Sequence, residues 1–384
     1  MLHVTTTPSV SYVTRVDEFD CGIMITASHN PYFDNGIKIV NSRGEKLDDR
    51  ITSLIEAYLD GDMQALGING EDLPLARRNK VGKTVDYVAG RNRYVGYLIS
   101  LAAHSYRELK IGLDCANGAS WIIAKSVFEA LGAQVFLIGG SPDGINVNKD
   151  CGSTHIDALR NLVIENHLDA GFAFDGDADR CIAVDEHGSV VDGDKIIYIL
   201  AVRLKSRGIL DNDTVVTTIM SNSGLTKALS EIGIKNEQTT VGDRYVYERM
   251  QEGSFRLGGE QSGHIILRKY ATTGDGILTA IMLTEEMRDR KLTLSAMAAP
   301  VVPLPQVMKN LKVTSKSGVI NDPDVKHKVE EINARLAGDG RILLRQSGTE
   351  PVIRIMVECD DEKLCGEFIS SLESIIRKKG YICE

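Results

Sequence analysis

"KIGLDCANGASWIIAKSVFEALGAQVFLIG", residues 110–139, decides the fold. "KIGLDCANGA" reads as a short apolar strand running into a loop. "SWIIAKSVFEALGA" carries apolar residues at helical spacing and stops at Gly132. "QVFLIG" is the next strand. Further on, "IDALRNLVIENHLD" is helical and "AGFAF" is again a strand. This β-α-β-α-β rhythm predicts an open α/β sheet covered on both faces.

The rhythm repeats on either side. "TVVTTIMSN" opens a second unit, followed by helical "SGLTKALSEIG", strand-like "IKNEQTTV" and "RYVYERMQE", and helical "GILTAIMLTEEMRDRK". Pro300, Pro303 and Pro305 then mark a linker. Beyond it, "QVMKNLKVT", "DVKHKVEEINARLAG", "GRILLRQSGTEPVIRIMVECD" and "KLCGEFISSLESIIRKKG" read as strand, helix, two strands about a tight loop, and helix. The N-terminal part holds "GIMITAS", a hairpin around "NGIKIVNSRGEKL" and a helix at "DDRITSLIEAYLDG". The predicted domains are 1–90, 107–206, 207–300 and 305–384. The first three are α/β and the last is a smaller α+β domain.

Composition bounds the function. The chain has 384 residues, 43% hydrophobic and 25% charged, and a single core rarely grows past about 250–300 residues, so several domains are expected. Its 44 basic and 53 acidic residues give a net charge of −9, which argues against general nucleic-acid binding. No apolar run approaches the ~18 residues of a membrane span, and no signal-peptide pattern opens the chain. Seven cysteines without a C-x-x-C pair read as reduced thiols of a cytoplasmic protein.

"FDGDADR", residues 174–180, is the strongest chemical signal. Asp175, Asp177 and Asp179 follow a strand at every second position, and such carboxylates repel one another unless a cation neutralises them. Oxygen ligands suit a hard ion such as Mg2+. A plain acidic turn is the competing reading. An EF-hand loop fails because Arg180 stands where that loop needs glycine. Arg180 instead suits a phosphate or the carboxylates themselves.

Two other loops suit a phosphorylated, hydroxyl-rich ligand. In "RQSGTEPVIR", Arg345 and Arg354 frame a turn at Ser347, Gly348 and Thr349, where backbone N–H groups can converge on an anion. In "GGEQSGH", glycines flank Glu260 and Ser262 and allow close backbone approach to sugar hydroxyls. His264 closes that loop, and both it and His155 also read as ordinary hydrogen-bonded loop residues. "VGDRYV" adds Gly242, Asp243 and Arg244, although Arg244 also fits a simple cap or ion pair.

"TASHNP" places Ser28 and His29 at the end of an apolar run. No G-x-S-x-G elbow is present, so a hydrolase triad is unsupported. A serine, a divalent-metal site, an anion cradle and a hydroxyl-reading loop together fit phosphoryl transfer through a phosphoserine.

In this order, "TASHNP", "DGDADR", "GEQSGH" and "RQSGTEP" resemble the α-D-phosphohexomutase superfamily over essentially the whole chain. "GGEQSGH", "LDCANGA" and "SPDGINVNKDCGSTH" look most like its glucosamine-phosphate branch. The glucose- and mannose-phosphate branches are the runner-up. The resemblance implies three related α/β domains and a C-terminal domain of another fold. It implies conversion of glucosamine 6-phosphate to glucosamine 1-phosphate through a 1,6-bisphosphate, on the route to UDP-N-acetylglucosamine and peptidoglycan. Ser28 would be the phosphoserine and would complete a Mg2+ site with Asp175, Asp177 and Asp179. Glu260 and Ser262 would read sugar hydroxyls, and Arg345, Ser347, Thr349 and Arg354 would hold the phosphate that is not reacting. His29 and Lys38 are both candidates for proton handling. The partner is a small phosphosugar, with no nucleic acid and no membrane, and homo-oligomer formation is left open.

Members of that superfamily begin with a strand and a G-T-D-G-x-R-G motif, followed by helix, strand and a G-R-D-x-R stretch. This chain starts at "MLHVTTTPSVSYV". The expectation is therefore an N-terminally truncated first domain with the apolar residues of "GIMITA" uncovered, Ser28 poorly positioned and little mutase activity. A non-catalytic fragment that still binds Mg2+ and phosphosugar is the alternative.

Overall fold

The computed structural model describes residues 1–62, 64, 66–67, 75–336, 338, 340–347 and 351–383. The chain forms two compact units, residues 1–220 with 233–299, and residues 221–232 with 300–384.

The first unit opens on α1 (Thr7–Val16), an element the sequence reading did not assign. Thr6 caps it by accepting from Ser9 N–H, and Pro8 sits in its first turn, where a missing N–H costs nothing. The helix buries Val10 and Val13 against β1 (Cys21–Thr26). Gly22 permits that approach, since a Cβ there would meet Thr14 Oγ1 at 2.3 Å. β1 pairs antiparallel with β2 (Gly36–Asn41), placing Met24 opposite Lys38. Ile23 and Ile25 on β1 are 60% and 70% exposed. α2 (Asp49–Leu59) follows its Asp48 cap, and α3 (Val88–Ser100), also unforeseen, buries Tyr94 and Leu98 completely.

The decisive stretch folds as read. β3 (Lys110–Asp114), α4 (Ser120–Ala130) and β4 (Gln134–Ile138) are followed by α5 (Asp157–Asn166), β5 (Ala170–Phe174), β6 (Cys181–Asp185) and β7 (Val190–Val191). The sheet order is β4-β3-β5-β6-β7, parallel among the first three and antiparallel at β6 and β7. Every residue of β5 and β6 is buried, as a sheet covered on both faces requires. The metal-type loop, residues 175–180, leaves the C-terminal end of β5, the usual place for a ligand site in such sheets.

α6 (Gly193–Ser206) leads to β8 (Thr214–Thr218). After α7 (Ser223–Glu231), which belongs to the second unit, come β9 (Lys235–Thr239), α8 (Asp243–Glu252), β10 (Leu257–Gly259), β11 (Ile265–Leu267), α9 (Gly276–Arg290) and α10 (Leu294–Ala298). Their sheet runs β11-β10-β8-β9. "RYVYERMQE" is helical in α8 and not strand-like. Val246 and Met250, four residues apart, are both fully buried, and that helical spacing outweighs the strand propensity of Tyr245 and Tyr247.

The second unit adds β12 (Gln306–Lys312), α11 (Lys316–Asn321), α12 (Pro323–Leu336), β13 (Arg341–Gln346), β14 (Val352–Glu358) and α13 (Glu362–Lys378). Its sheet is antiparallel, in the order β12-β14-β13. Cys365, Phe368, Ile369, Leu372 and Ile376 form the buried stripe of α13 against Ile353, Ile355 and Val357. Each large apolar side chain so buried contributes ~1.5–3 kcal/mol.

Candidate active site

β1 delivers Ser28 on a loop with left-handed backbone, φ +51°. Ser28 N–H donates to Thr26 Oγ1 at 2.7 Å, and Asn30 N–H closes a turn on the Ala27 carbonyl at 2.9 Å. Ser28 Oγ then lies 3.3 Å from Asp175 Oδ2 and 3.4 Å from His29 Nδ1. The serine singled out in the sequence thus stands at the rim of the acidic loop.

Asp175, Asp177 and Asp179 are 1%, 0% and 6% exposed, and one oxygen from each lies within 4.8 Å of the others. Burial, then the neighbouring Asp179 and Asp177, pushes the Asp175 carboxyl well above its usual range. Burial acts the same way on Asp179, but His264 and Lys38 outweigh it and hold that carboxylate well below its usual range. Asp177 Oδ1 and Asp179 Oδ1 are buried without a hydrogen-bond partner. Three buried carboxylates, two of them with an orphaned oxygen, are the donor set a hard divalent cation takes. The triad can hold a metal.

Lys38 supplies the counter-charge here. From β2 its Nζ lies 2.7 Å from Asp177 Oδ2 and 2.7 Å from Asp179 Oδ2. Burial would lower its pKa, but those two carboxylates raise it above the usual lysine value. Desolvation, with Arg180 and Lys38 nearby, lowers the His29 pKa. Of the two proton-handling candidates, His29 is therefore the one held neutral near pH 7.

The sugar-type loops converge on the same edge. Arg180 N–H donates to Asp175 Oδ1 at 3.1 Å, and Arg180 shares a cavity of about 360 Å3 with Gln261 and Ser262. Glu260 Oε1 accepts from Gly242 N–H at 3.1 Å, which joins the "GGEQSGH" and "VGDRYV" loops. His264 accepts at Nε2 from Gly274 N–H and turns Nδ1 to Asp179 Oδ1, 3.6 Å away. Asp243 pairs with Lys46 at 3.1 Å, and Arg244 is engaged by Asp49 and Glu248. Gly263 must be glycine: at φ +92° a Cβ would stand 2.3 Å from the Cys181 carbonyl.

In the second unit, Arg345 and Arg354 are direct cross-strand partners on β13 and β14. Two like charges so placed repel, and burial followed by the Arg354 charge lowers the Arg345 pKa. An anion between them would remove that repulsion. Ser347 is 4% exposed, and its carbonyl accepts from Lys316 Nζ at 2.7 Å. Gly348 and Thr349 lie outside the described residues.

One contributor escaped the sequence reading. Thr7 Oγ1 donates to Asp177 Oδ2 at 2.5 Å, and Thr7 N–H donates to the Asp177 carbonyl at 3.0 Å. The Thr-Thr-Pro signature at residues 6–8 marks the start of the helix, but not the contact of Thr7 with Asp177.

The sequence matches four domains described as phosphoglucomutase/phosphomannomutase: alpha/beta/alpha domain I at residues 1–65, domain II at 92–188, domain III at 192–303 and the C-terminal domain at 308–372. A phosphoglucosamine mutase of Lachnospira eligens is 55% identical over 381 residues, taking in 99% of this chain and 83% of the relative.

The chain belongs to the phosphoglucomutase/phosphomannomutase family.

Within this family it stands on the phosphoglucosamine mutase branch. The enzyme of that name from Bacillus subtilis is 45% identical, covering 98% of this chain and 83% of its own length. Among solved structures, a phosphoglucomutase/phosphomannomutase family protein of Burkholderia thailandensis matches with TM-score 0.76 at 21% identity, over 97% of this chain and 81% of that one. An Aspergillus fumigatus N-acetylphosphoglucosamine mutase, in complex with GlcNAc-6P and magnesium, matches with TM-score 0.72 at 18% identity, over 98% and 93%. These two share the fold. All four domains of the family find their match, domain I over residues 1–65, and the chain spans 83% of the length of the Lachnospira eligens relative. Among the described residues, no helix is long and apolar enough to cross a membrane.

Proposed function

We propose that this chain interconverts glucosamine 6-phosphate and glucosamine 1-phosphate through phosphorylated Ser28 and a glucosamine 1,6-bisphosphate intermediate. The observation that carries the reading is Ser28 Oγ at 3.3 Å from Asp175, beside a buried carboxylate triad with orphaned oxygens. Residues 1–90 present the phosphoserine, 107–206 the metal loop, 207–300 the sugar loop and 305–384 the phosphate cradle.

In the first half-reaction the Ser28 Oγ–P bond breaks as a P–O1 bond forms on the 6-phosphosugar. His29, neutral and beside Ser28, takes the proton released from O1. The 1,6-bisphosphate turns round, and its 6-phosphoryl group passes back to Ser28 Oγ while O6 regains a proton. Glu260, held by Gly242 N–H, and Ser262 read the sugar hydroxyls in both orientations. Arg345 and Arg354, with Ser347, Gly348 and Thr349, grip the phosphate that is not reacting. Asp175, Asp177 and Asp179 would hold Mg2+, which when bound neutralises phosphate charge as a Lewis acid. The free thiols of all seven cysteines suit a cytoplasmic setting.

The test is a mutase assay with glucosamine, glucose and mannose 6-phosphates. Preferred turnover of the glucosamine substrate supports the reading, and preference for either other sugar moves the chain to another branch.

A further inference from the structure

The loop "SPDGINVNKDCGSTH", residues 141–155, has no role in the mechanism above. Its Asn148 is 7% exposed and has left-handed backbone, φ +58°, which asparagine tolerates. Asn148 N–H fixes that backbone on the Ala116 carbonyl at 2.9 Å. Its side chain reaches out of the second α/β sheet to the serine loop. Nδ2 donates to the Ser28 carbonyl at 2.8 Å and to the Asn30 carbonyl at 2.8 Å. Two acceptors leave only one orientation for the amide, because its own oxygen would face two carbonyls.

Ser28 sits in a backbone region that costs a non-glycine residue energy, so something outside the loop must hold it there. Two groups do. Gly176 N–H, between the metal-type aspartates, also donates to the Ser28 carbonyl, at 3.1 Å. Asn148 grips the carbonyls of Ser28 and Asn30, on either side of His29. The three loops are packed closely: a Cβ at Gly176 would meet the Ser28 carbonyl at 2.6 Å and Asn148 Nδ2 at 3.1 Å.

We propose that Asn148 is a positioning residue for phosphoryl transfer, a side-chain clamp that fixes the Ser28 loop so that Oγ stays aimed along the carboxylate triad. The proposal rests on Ser28 being the phosphoryl carrier. Among the described residues the Asn148 side chain bonds the carbonyls of Ser28 and Asn30 and not the reacting oxygen or the triad, so it acts on the rate of transfer and not on affinity for the sugar.

Asn148→Asp and Asn148→Gly test it. Both residues tolerate the left-handed backbone, so the change is confined to the side chain. Asp keeps the shape but turns two donors into acceptors facing two carbonyls. Gly removes the clamp without adding charge, and carries the test alone if the Asp variant does not fold. Misplacement by ~1 Å costs on the order of 100-fold in rate, so kcat should fall by about that factor in Asn148→Asp and by less in Asn148→Gly, with KM for glucosamine 6-phosphate little changed. Transfer of labelled phosphate from Ser28 to the sugar in a single turnover should slow by the same factor. Amide exchange over residues 22–31 should speed up while residues 110–116 stay protected. Normal single-turnover transfer in both variants, with label on Ser28, would overturn the clamp while leaving the mutase reading intact. A loss seen only in KM would overturn it too. Label on another residue of the unmodified chain would overturn the Ser28 assignment and the clamp with it.

Discussion

Lys38 Nζ lies 2.7 Å from Asp177 Oδ2, an ammonium from the serine domain set against a carboxylate that is 0% exposed. The ion pair spans 139 residues of chain and joins the β1–β2 hairpin to the loop after β5. It makes Lys38 the resident cation of the acidic site.

Lys38→Met should therefore leave the carboxylates uncompensated. Loss of one partner of a buried pair costs ~3–5 kcal/mol, and less here because the Lys38 side chain is 33% exposed. A divalent cation can replace the lost charge. The variant should melt earlier than the unmodified chain in a chelator and gain more stability on adding Mg2+. Equal Mg2+ stabilisation in both proteins would contradict this.

Asp177→Asn removes a negative ligand from the triad. Mg2+ affinity, read by calorimetry, and turnover should fall together. Unchanged Mg2+ dependence at full activity would remove Asp177 from the metal site.

Thr7→Val keeps the shape of α1's first turn and deletes the hydroxyl donated to Asp177. The buried acceptor then loses one partner, at ~1–3 kcal/mol. Thermal unfolding should register the loss, Mg2+ binding should weaken, and Thr7→Ser should restore both.

His29 gives a pH prediction. Its lowered pKa means the imidazole is neutral above an acid limb that lies below the usual histidine value of about 6.5. As the proton acceptor it works above that folded-state pKa and fails as pH falls through it. The acid limb of kcat should follow this pKa and disappear, at much lower rate, in His29→Gln. An unaltered limb in that variant would assign the proton transfer elsewhere.

Arg345→Ala and Arg354→Ala should each weaken sugar-phosphate binding by roughly 1.5–3 kcal/mol, the range for hydrogen bonds to charged groups. Because the two arginines face each other across β13 and β14, removing one relieves repulsion. The stabilisation that inorganic phosphate gives the unmodified chain should shrink in both variants. A drop in phosphate-free stability with intact binding would make the pair structural.

Much of this was legible beforehand. The segment at 110–139 announced its fold because strand and helix periods alternate cleanly there, and Asp175 announced its site because close carboxylates need a cation. α3 was missed because its burial rests on aromatic packing, with Tyr94 reaching Asp275 at 2.7 Å across 181 residues. α8 was misread because tyrosines that favour strands sit on a helix held by Val246 and Met250. Thr7 and Asn148 were invisible as site residues because their partners are 170 and 120 residues away. Local pattern reveals a helix cap or a left-handed asparagine, but not what it grips.

The central claim is that phosphoryl groups pass through Ser28. The direct measurement is phosphorus NMR of glucosamine 6-phosphate incubated with the chain and Mg2+, run beside Ser28→Ala and followed by mapping of the phosphorylated residue. The account predicts a glucosamine 1-phosphate signal from the unmodified chain, label on Ser28, and no conversion by a folded Ser28→Ala variant. Conversion by that variant, or label on any other residue, would contradict it.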